Sequence, residues 1–213
     1  KISKYSNKIL HEKVRYEILK RFGYFVTESS EHFAEYVPWF IKQNRPDIIE
    51  QYKIPIEEYI DRCKINNEVW GELEKDMSKI YNQPIKRSNE YASFIMDGIV
   101  NNNEVTINAN IMNNNYIDNL PNNCCVEVPC TVNSNGYVPQ KFGKLPEHLA
   151  ALMRTNINVQ ILTAEAALTK KREHIYHAAL LDPLTAANLS IDEIYSMIDK
   201  LIEKHGQYLP EYN

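Results

Sequence analysis

Glycine is scarce in this sequence, with six residues in 213, where a typical protein contains about 7% glycine. The six are scattered, and no two of them lie within five positions of each other. The chain therefore has neither a GxGxxG nor a GxxxxGK loop, whose backbone amides would surround a nucleotide phosphate. This absence excludes a glycine-rich phosphate-binding loop from these residues.

Basic clusters and long apolar runs are also lacking. The formal net charge is -4, which argues against a nucleic-acid surface, because such surfaces need clustered Lys and Arg. The densest basic run, Lys170-Lys171-Arg172, precedes Glu173 and is typical of a solvated helix end. No apolar stretch approaches the roughly 18 residues of a membrane span, and no signal-peptide pattern is present. We therefore expect a cytoplasmic protein that binds neither nucleic acid nor membrane.

The few cysteines fit neither a CxxC metal spacing nor a small disulfide scaffold. Three of the four lie in an extended, valine-rich stretch and are predicted to act as small apolar side chains; the four are Cys63, Cys124, Cys125 and Cys130. Asparagine is abundant by contrast, with 23 residues and runs at 101–103 and 113–115. We interpret this excess as compositional bias.

Helical spacing of apolar residues predicts several helices in the first hundred residues. One spans Val14 to Phe22 and is capped by Gly23. A short one starts near Glu31, with serines as caps and Pro38 as its limit. Residues 46–80 are predicted to be helical, with Pro46 and Pro55 in first turns, and Ser88 is predicted to open the next helix.

After these helices, the spacing of apolar residues changes from a helical period to alternation at every second residue. Alternating residues over 105–111 and 126–132 predict two strands, each with one buried face, and the Asn135-Gly136 pair predicts a hairpin. The last third is predicted to be helical, with a central helix after Pro146 that is apolar on two sides. A final helix follows the Ser190/Glu193 capping box and ends at Gly206. We predict an α+β fold in which helices pack on an antiparallel sheet.

One candidate site lies in the predicted short helix. His32 and Tyr36 are four apart on one face, and Glu35 lies on the flank. An imidazole, a phenol and a carboxylate near a helix N-terminus could hold a polyol and move a proton. The alternative, a capped helix whose His32 bonds only locally, stays open.

A second candidate site is the His174/His177 pair followed by Asp182-Pro183. Two histidines three apart on a helix can chelate a metal if a carboxylate joins them, but nothing nearby completes such a set. Surface and packing histidines are the favoured interpretation, and His148 and His205 are predicted to be solvated.

Several separate segments, in order, resemble the C-terminal half of family 4 glycoside hydrolases, with bacterial α-galactosidases as the most similar branch. The match runs from about Arg15 to Pro210. The segments are GYFVTESSEHFAEY from Gly23, CCVEVPC from Cys124, LPEHLAAL from Leu145, TNINVQ from Thr155 and YHAALLDP from Tyr176.

The resemblance implies an NAD- and Mn²⁺-dependent glycosidase, an exception to the two-carboxylate scheme. In this family, NAD oxidises the sugar at C3, a base removes the C2 proton, the aglycone is eliminated, and water adds before the hydride returns. It also implies that residues 1–213 are a single C-terminal substrate-binding and oligomerisation domain, similar to that of lactate and malate dehydrogenases. Its partners would be an α-galactoside or related sugar, its own N-terminal Rossmann domain, and further copies in a dimer or tetramer.

The resemblance implies site residues as well. His32 and Tyr36 would face the sugar and the metal as catalytic residues. The substrate-binding residues would be Glu28, Ser29, Ser30, Glu35, Arg87, Asn89 and Glu90. Because the family's glycine-rich loop and metal ligands are missing here, we expect this chain alone to hold neither NAD nor Mn²⁺ and to be inactive.

Two other functions stay open at this point. One is a non-catalytic interaction or regulatory domain of the same fold. The other is the C-terminal domain of a 2-hydroxyacid dehydrogenase, which would need a histidine paired to a carboxylate and an arginine for the substrate. The first residue is Lys rather than Met, and we expect the chain to be a piece of a longer polypeptide.

Overall fold

The computed structural model describes residues 12–80, 84, 88 and 90–213, without the side chains of 76–80. Helices pack with a three-stranded antiparallel sheet of order β1-β2-β3, as predicted. The elements are α1 Lys13–Phe22, α2 Ser30–Tyr36, α3 Pro46–Tyr52, α4 Glu58–Ile80, α5 Ala92–Asn101, β1 Val105–Met112, β2 Cys125–Asn133, β3 Gly136–Pro139, α6 Glu147–Thr169, α7 Glu173–Leu181, α8 Pro183–Asn188, α9 Ile191–His205 and a 3₁₀ turn Gly206–Tyr208. None of the described helices is both long and apolar enough to cross a membrane.

The chain forms two compact units. Of the described residues, the first unit contains 12–54, 108–131 and 138–213, and the second contains those within 55–107 and 132–137. The candidate helix α2 belongs to the first unit.

An apolar cluster joins α1 to α2 in the first unit. Val14 and Ile18 of α1 are buried beside Phe33 and Ala34 of α2. Gly23 ends α1 in the left-handed conformation, at φ 79°, and its N–H bonds to the Leu19 carbonyl, as predicted. Because the apolar face of α2 is fixed in this cluster, its polar face is left for other contacts.

Buried and more exposed residues alternate along β1 and β2, as the sequence predicts. In β2 the residues Val126, Val128, Cys130 and Val132 are all buried. Ser134 and Asn135 form the turn into β3, which starts at Gly136 with φ 107°. A positive φ of this kind is accessible to glycine at little steric cost.

The connection between β1 and β2 is built around a buried asparagine. The Asn113 side chain is 0% exposed. Its Nδ2 lies within 2.9–3.1 Å of the carbonyls of Ile117, Leu120 and Pro121, and its Oδ1 accepts from the Ile117 N–H at 2.7 Å. Asn113 therefore has a specific structural role, because its amide satisfies backbone groups of this loop.

In the second unit, two predicted helix starts are wrong. Lys53 has a left-handed backbone that ends α3, and α4 begins only at Glu58, so Pro55 lies outside both helices. Helix α5 begins at Ala92, and Tyr91 precedes it without a side-chain cap. The Ser88 hydroxyl instead accepts from the Glu90 N–H, a local turn contact that competes with capping.

Gly98 marks a close approach within the second unit. A Cβ atom at this position would lie 3.2 Å from the carbonyl oxygens of both Asn103 and Val132. The missing side chain therefore lets α5 lie directly against this part of the backbone.

The long helix α6 is only partly central. Ile157 and Ala166 are buried, but Leu168, near the end of the helix, is 81% exposed. The prediction of a helix buried on two sides is therefore wrong at its C-terminal end. Helix α9 has the predicted capping box, in which Ser190 and Glu193 bond reciprocally, and these bonds from Ser190 lower the pKa of the Glu193 carboxyl.

Helices α7 and α9 are joined by a tyrosine hydroxyl. Tyr176 donates to Asp199 Oδ1 at 2.5 Å and accepts from Arg172 Nε at 3.1 Å. Its ring stacks on that of Tyr195, with centroids 4.6 Å apart. The hydrogen bond to Asp199 and then burial raise the pKa of the Tyr176 hydroxyl.

We expect Tyr176→Phe to reduce stability by about 1 kcal/mol at neutral pH, the value of one ordinary hydrogen bond. A raised folded pKa means that this contribution is complete below the unfolded tyrosine pKa of about 10 and is lost as pH rises through the folded value. Urea unfolding at pH 7 to 11 measures the difference between wild type and variant. Tyr195→Phe is the matched control, and a pH-independent difference for Tyr176→Phe would contradict this interpretation.

Candidate functional site

The segment that leads into α2 is held by α1. Arg15 donates from Nε to the Val26 carbonyl at 2.8 Å and from its backbone N–H to Ser30 Oγ at 3.3 Å. Ser30 in turn donates to Glu12 Oε2 at 3.1 Å, and Glu12 pairs with the Arg15 guanidinium at 3.2 Å. These contacts fix both ends of the turn that precedes α2.

Ser30, a predicted sugar ligand, is 6% exposed. The structure places its hydroxyl in the junction with α1, where it already both donates and accepts a hydrogen bond. The geometry thus gives Ser30 a structural position, while its role toward a sugar stays a prediction.

Glu28, Ser29 and His32 are brought together at the start of α2. Ser29 caps the helix by accepting from the His32 N–H at 3.3 Å, and its own N–H donates to Glu28 Oε1 at 2.8 Å. The His32 ring has Nδ1 3.3 Å from Glu28 Oε1 and Nε2 3.5 Å from an oxygen of Glu31. The imidazole lies between two carboxylates, but it is 46% exposed, so a ligand can reach the ring.

Tyr36 and Glu35 lie on the outward side of α2, because Phe33 and Ala34 occupy its buried face. The Tyr36 ring is 45% exposed, and it lies one turn beyond His32, as the spacing predicts. The Tyr36 carbonyl accepts from Asn156 Nδ2 of α6 at 3.2 Å, which fixes the end of the helix. The catalytic roles of His32 and Tyr36 and the binding role of Glu35 stay predictions.

Of the three other predicted sugar ligands, the structure describes only Glu90. Arg87 and Asn89 lie outside the described residues. Glu90 is exposed in the second unit and donates its N–H to Ser88.

The second candidate site, around His174 and His177, finds no further metal ligand among the residues that the structure describes. The rings of His174 and His177 have centroids 6.1 Å apart in an edge-on arrangement. Asp182 accepts from the Thr185 N–H and so caps α8. Among the described residues, no group of three His, Cys, Asp or Glu could hold a metal ion. His174 is partly buried and His177 is exposed, and the interpretation as packing and surface histidines stays a prediction.

Sequence reasoning missed some residues that position the site. His148 is exposed, as predicted, but it is not simply solvated, since its Nε2 bonds to the Phe22 carbonyl at 3.1 Å. Asn156 was also missed as a contact of Tyr36. Both contacts join residues more than 100 positions apart, a separation over which spacing and periodicity carry no signal.

Two of the three cysteines predicted to act as small apolar side chains are packed in this way, whereas Cys125 is exposed. Cys124 and Cys130 are buried with free thiols, and burial raises the pKa of both. A thiol with a raised pKa stays protonated and is a poor nucleophile and metal ligand. This agrees with the interpretation of these residues as structural.

The chain matches the family model described as the family 4 glycosyl hydrolase C-terminal domain over residues 1–185. It is 47% identical over 202 residues to an α-galactosidase of Bacillus subtilis, a match that covers 95% of this chain and 47% of that protein. It is 32% identical over 213 residues to an α-galactosidase of Rhizobium meliloti, covering 94% of this chain and 43% of the relative. The chain thus spans less than half the length of these curated relatives.

Solved structures share the fold at lower identity. LplD of Bacillus subtilis superposes with a TM-score of 0.75 at 23% identity, covering 88% of this chain and 42% of that one. A 6-phospho-α-glucosidase from gut microorganisms, solved in complex with NAD and Mn²⁺, gives 0.69 at 17% identity and covers 94% of this chain and 44% of that one.

The family match covers far more than half of the chain, and the two α-galactosidases are similar over nearly all of it. This decides against the C-terminal domain of a 2-hydroxyacid dehydrogenase. The chain belongs to the family 4 glycosyl hydrolases, as a C-terminal domain of that family.

Proposed function

We propose that this domain forms the sugar-facing part of an α-galactosidase-like hydrolase. The observation that carries the proposal is the exposed His32 imidazole between the carboxylates of Glu28 and Glu31 at the capped start of α2. The 47% identity to an α-galactosidase supports the choice of an α-galactoside as the substrate.

His32 is the proposed proton-transfer group. The imidazole of histidine is a common general acid and base in catalysis, and the Glu28 carboxylate next to Nδ1 holds the His32 ring in one orientation. The proton would move between a His32 ring nitrogen and a sugar hydroxyl, because nearly half of the ring is open to a ligand.

Tyr36 is the proposed second group that meets the sugar. Its phenol has no hydrogen-bond partner within the described part of the chain, so the hydroxyl is free to donate or accept. The hydrogen bond from Asn156 to the Tyr36 carbonyl fixes the end of α2, where Tyr36 lies one turn beyond His32. Glu28 and Ser29 act mainly through this local geometry, since their polar atoms already bond to the start of α2.

NAD and Mn²⁺, which the family resemblance implies, do not fit the residues of this chain. Its glycines are too scattered to form a phosphate loop, and the described residues contain no cluster of three metal-ligating side chains. We propose that both groups are held by an N-terminal Rossmann domain outside these residues. Cytoplasmic location and assembly as a dimer or tetramer stay predictions.

This proposal predicts that the purified 213-residue chain neither hydrolyses p-nitrophenyl α-galactoside nor binds NAD. The physical reason is that no backbone cradle is available for the pyrophosphate. Release of p-nitrophenol, measured with NAD, Mn²⁺ and a reductant present, tests the first part, and calorimetric titration with NAD tests the second.

The control is the same chain joined to the N-terminal half of the Bacillus subtilis relative, which is expected to restore both properties. Turnover by the 213-residue chain alone would contradict the proposal that an N-terminal domain outside these residues holds NAD and Mn²⁺. Failure of the joined polypeptide to cleave any α-galactoside while it binds NAD would overturn the proposed substrate class.

A further inference from the structure

Four rings form a second feature of the first unit, beside the polar segment already described. Phe22 lies 5.6 Å from Trp39 and 5.8 Å from His148, and Tyr24 lies 6.1 Å from His148, between ring centroids. We call these residues the aromatic cluster. Tyr24 and Trp39 lie on either side of the segment that carries Glu28 and His32 in the chain.

Two rings of the aromatic cluster pack against buried residues of the first unit. Phe22 packs against the apolar cluster of α1 and α2, and Trp39 also contacts the buried Phe40, with ring centroids 6.5 Å apart. The outer rings remain open, since Trp39 is 40% exposed and Tyr24 is 51% exposed. Aromatic side chains have few rotatable bonds, so partly exposed rings that already pack on one side bind a ligand at a small cost in conformational entropy.

The exposed rings also carry free polar groups. The Trp39 indole N–H and the Tyr24 hydroxyl have no hydrogen-bond partner in the part of the chain that the structure describes. His148 must donate from Nε2, because the Phe22 carbonyl can only accept. In the neutral ring this leaves Nδ1 as an acceptor. The surface therefore offers a donor, a hydroxyl and an acceptor around apolar ring faces.

This combination matches the chemistry of a sugar ring. A pyranose has an apolar face of C–H groups and a rim of hydroxyls, so it can stack on an aromatic ring while its hydroxyls bond at the edge. A wholly apolar partner would leave the indole N–H and the hydroxyl desolvated without partners, which is unfavourable.

We infer that the aromatic cluster is a binding site for the C–H face of a pyranose ring, with Trp39 and Tyr24 as the stacking residues. The choice of a sugar as the ligand rests on the proposed function. The inference goes beyond it by assigning recognition to residues that take no part in proton transfer.

Saturation-transfer NMR with methyl α-D-galactopyranoside and the 213-residue chain tests this assignment without requiring catalysis. We expect the strongest transfer to the ring protons at C3, C4 and C5, which share one face of galactose. Trp39→Ala and Tyr24→Ala should each reduce the transfer about five-fold, the usual effect of losing one aromatic contact. Sorbitol, a polyol without a ring, should show little transfer.

Trp70→Ala is the matched control, because Trp70 is the second of two tryptophans and is 68% exposed in the other unit. It should leave the transfer unchanged. Circular dichroism confirms that each variant is folded, and Tyr24→Ala, which removes a more exposed ring, keeps the test decisive if Trp39→Ala does not fold. No transfer in the folded wild type, an equal loss in Trp70→Ala, or equal transfer to sorbitol would overturn the inference.

Failure of the proposed function would be seen separately. If the joined polypeptide does not cleave α-galactosides but the chain shows ring-dependent transfer, the sugar site stands and the hydrolase proposal fails. If cleavage occurs and the aromatic variants bind galactoside normally, the inference fails and the hydrolase proposal stands. A dimer that dissociates on Trp39→Ala, with no transfer to the sugar, would assign the aromatic cluster to a second copy and overturn the inference.

Discussion

His32→Ala should lower α-galactoside hydrolysis by about 10³-fold, within the usual range for losing a general acid–base group. The variant is made in the polypeptide that joins this chain to an NAD-binding half. The loss is expected in kcat, because the ring between Glu28 and Glu31 is the group proposed to move the proton. Steady-state kinetics with p-nitrophenyl α-galactoside measures it, and calorimetry should show nearly unchanged NAD binding.

His205→Ala is the control for this substitution. His205 lies in the last turn of α9 and is exposed, so its loss should leave kcat within about two-fold, as for most surface substitutions. Unchanged kinetics in His32→Ala would remove His32 from the proposed site. A comparable loss in both variants would indicate a general structural effect instead.

Asn113→Ala should destabilise the chain by about 3–5 kcal/mol, since it leaves several buried backbone groups without partners. The groups are the Ile117 N–H and the carbonyls of Ile117, Leu120 and Pro121. Such a loss is a large part of the 5–15 kcal/mol that usually stabilises a native protein. Urea unfolding followed by circular dichroism measures it.

A nearly isosteric variant tests the cause. Asn113→Asp keeps the shape of the side chain but turns an oxygen toward three carbonyl oxygens, so we expect at least as large a loss at neutral pH. Asn110→Ala, at an exposed position of β1, is the control and should change stability by less than about 0.5 kcal/mol. A mild effect of both Asn113 variants would show that the loop does not depend on this amide.

Most of the elements could be predicted because their signals are local. Gly23 ends α1 and the Ser190/Glu193 capping box opens α9, since each depends on residues within one helical turn. The alternation in β2 likewise follows from the two-residue period of a strand. The Ser29 cap and the shared face of His32 and Tyr36 were predictable for the same reason.

The errors fall where a local signal competes with another contact. Pro55 fits a first helical turn, but the left-handed Lys53 ends α3 and α4 begins only at Glu58. Ser88 is a good cap by type, yet its hydroxyl bonds to the Glu90 N–H in a turn. The Leu168 side chain continues an apolar stripe, but that end of α6 is left exposed.

The sequence by itself determined the α+β class, the family and the position of the polar segment. Periodicity, caps and motifs each depend on residues that are close together in the chain, so the sequence shows them directly. Only the tertiary structure decided that Ser30 is buried against Glu12 and Arg15, that Asn156 fixes Tyr36, and that Phe22, Tyr24, Trp39 and His148 form one aromatic cluster. Most of these contacts join residues distant in the chain, and even the nearer ones form between separate elements. They arise when α1, α2 and α6 bury their apolar faces, and no local pattern specifies which polar groups then meet.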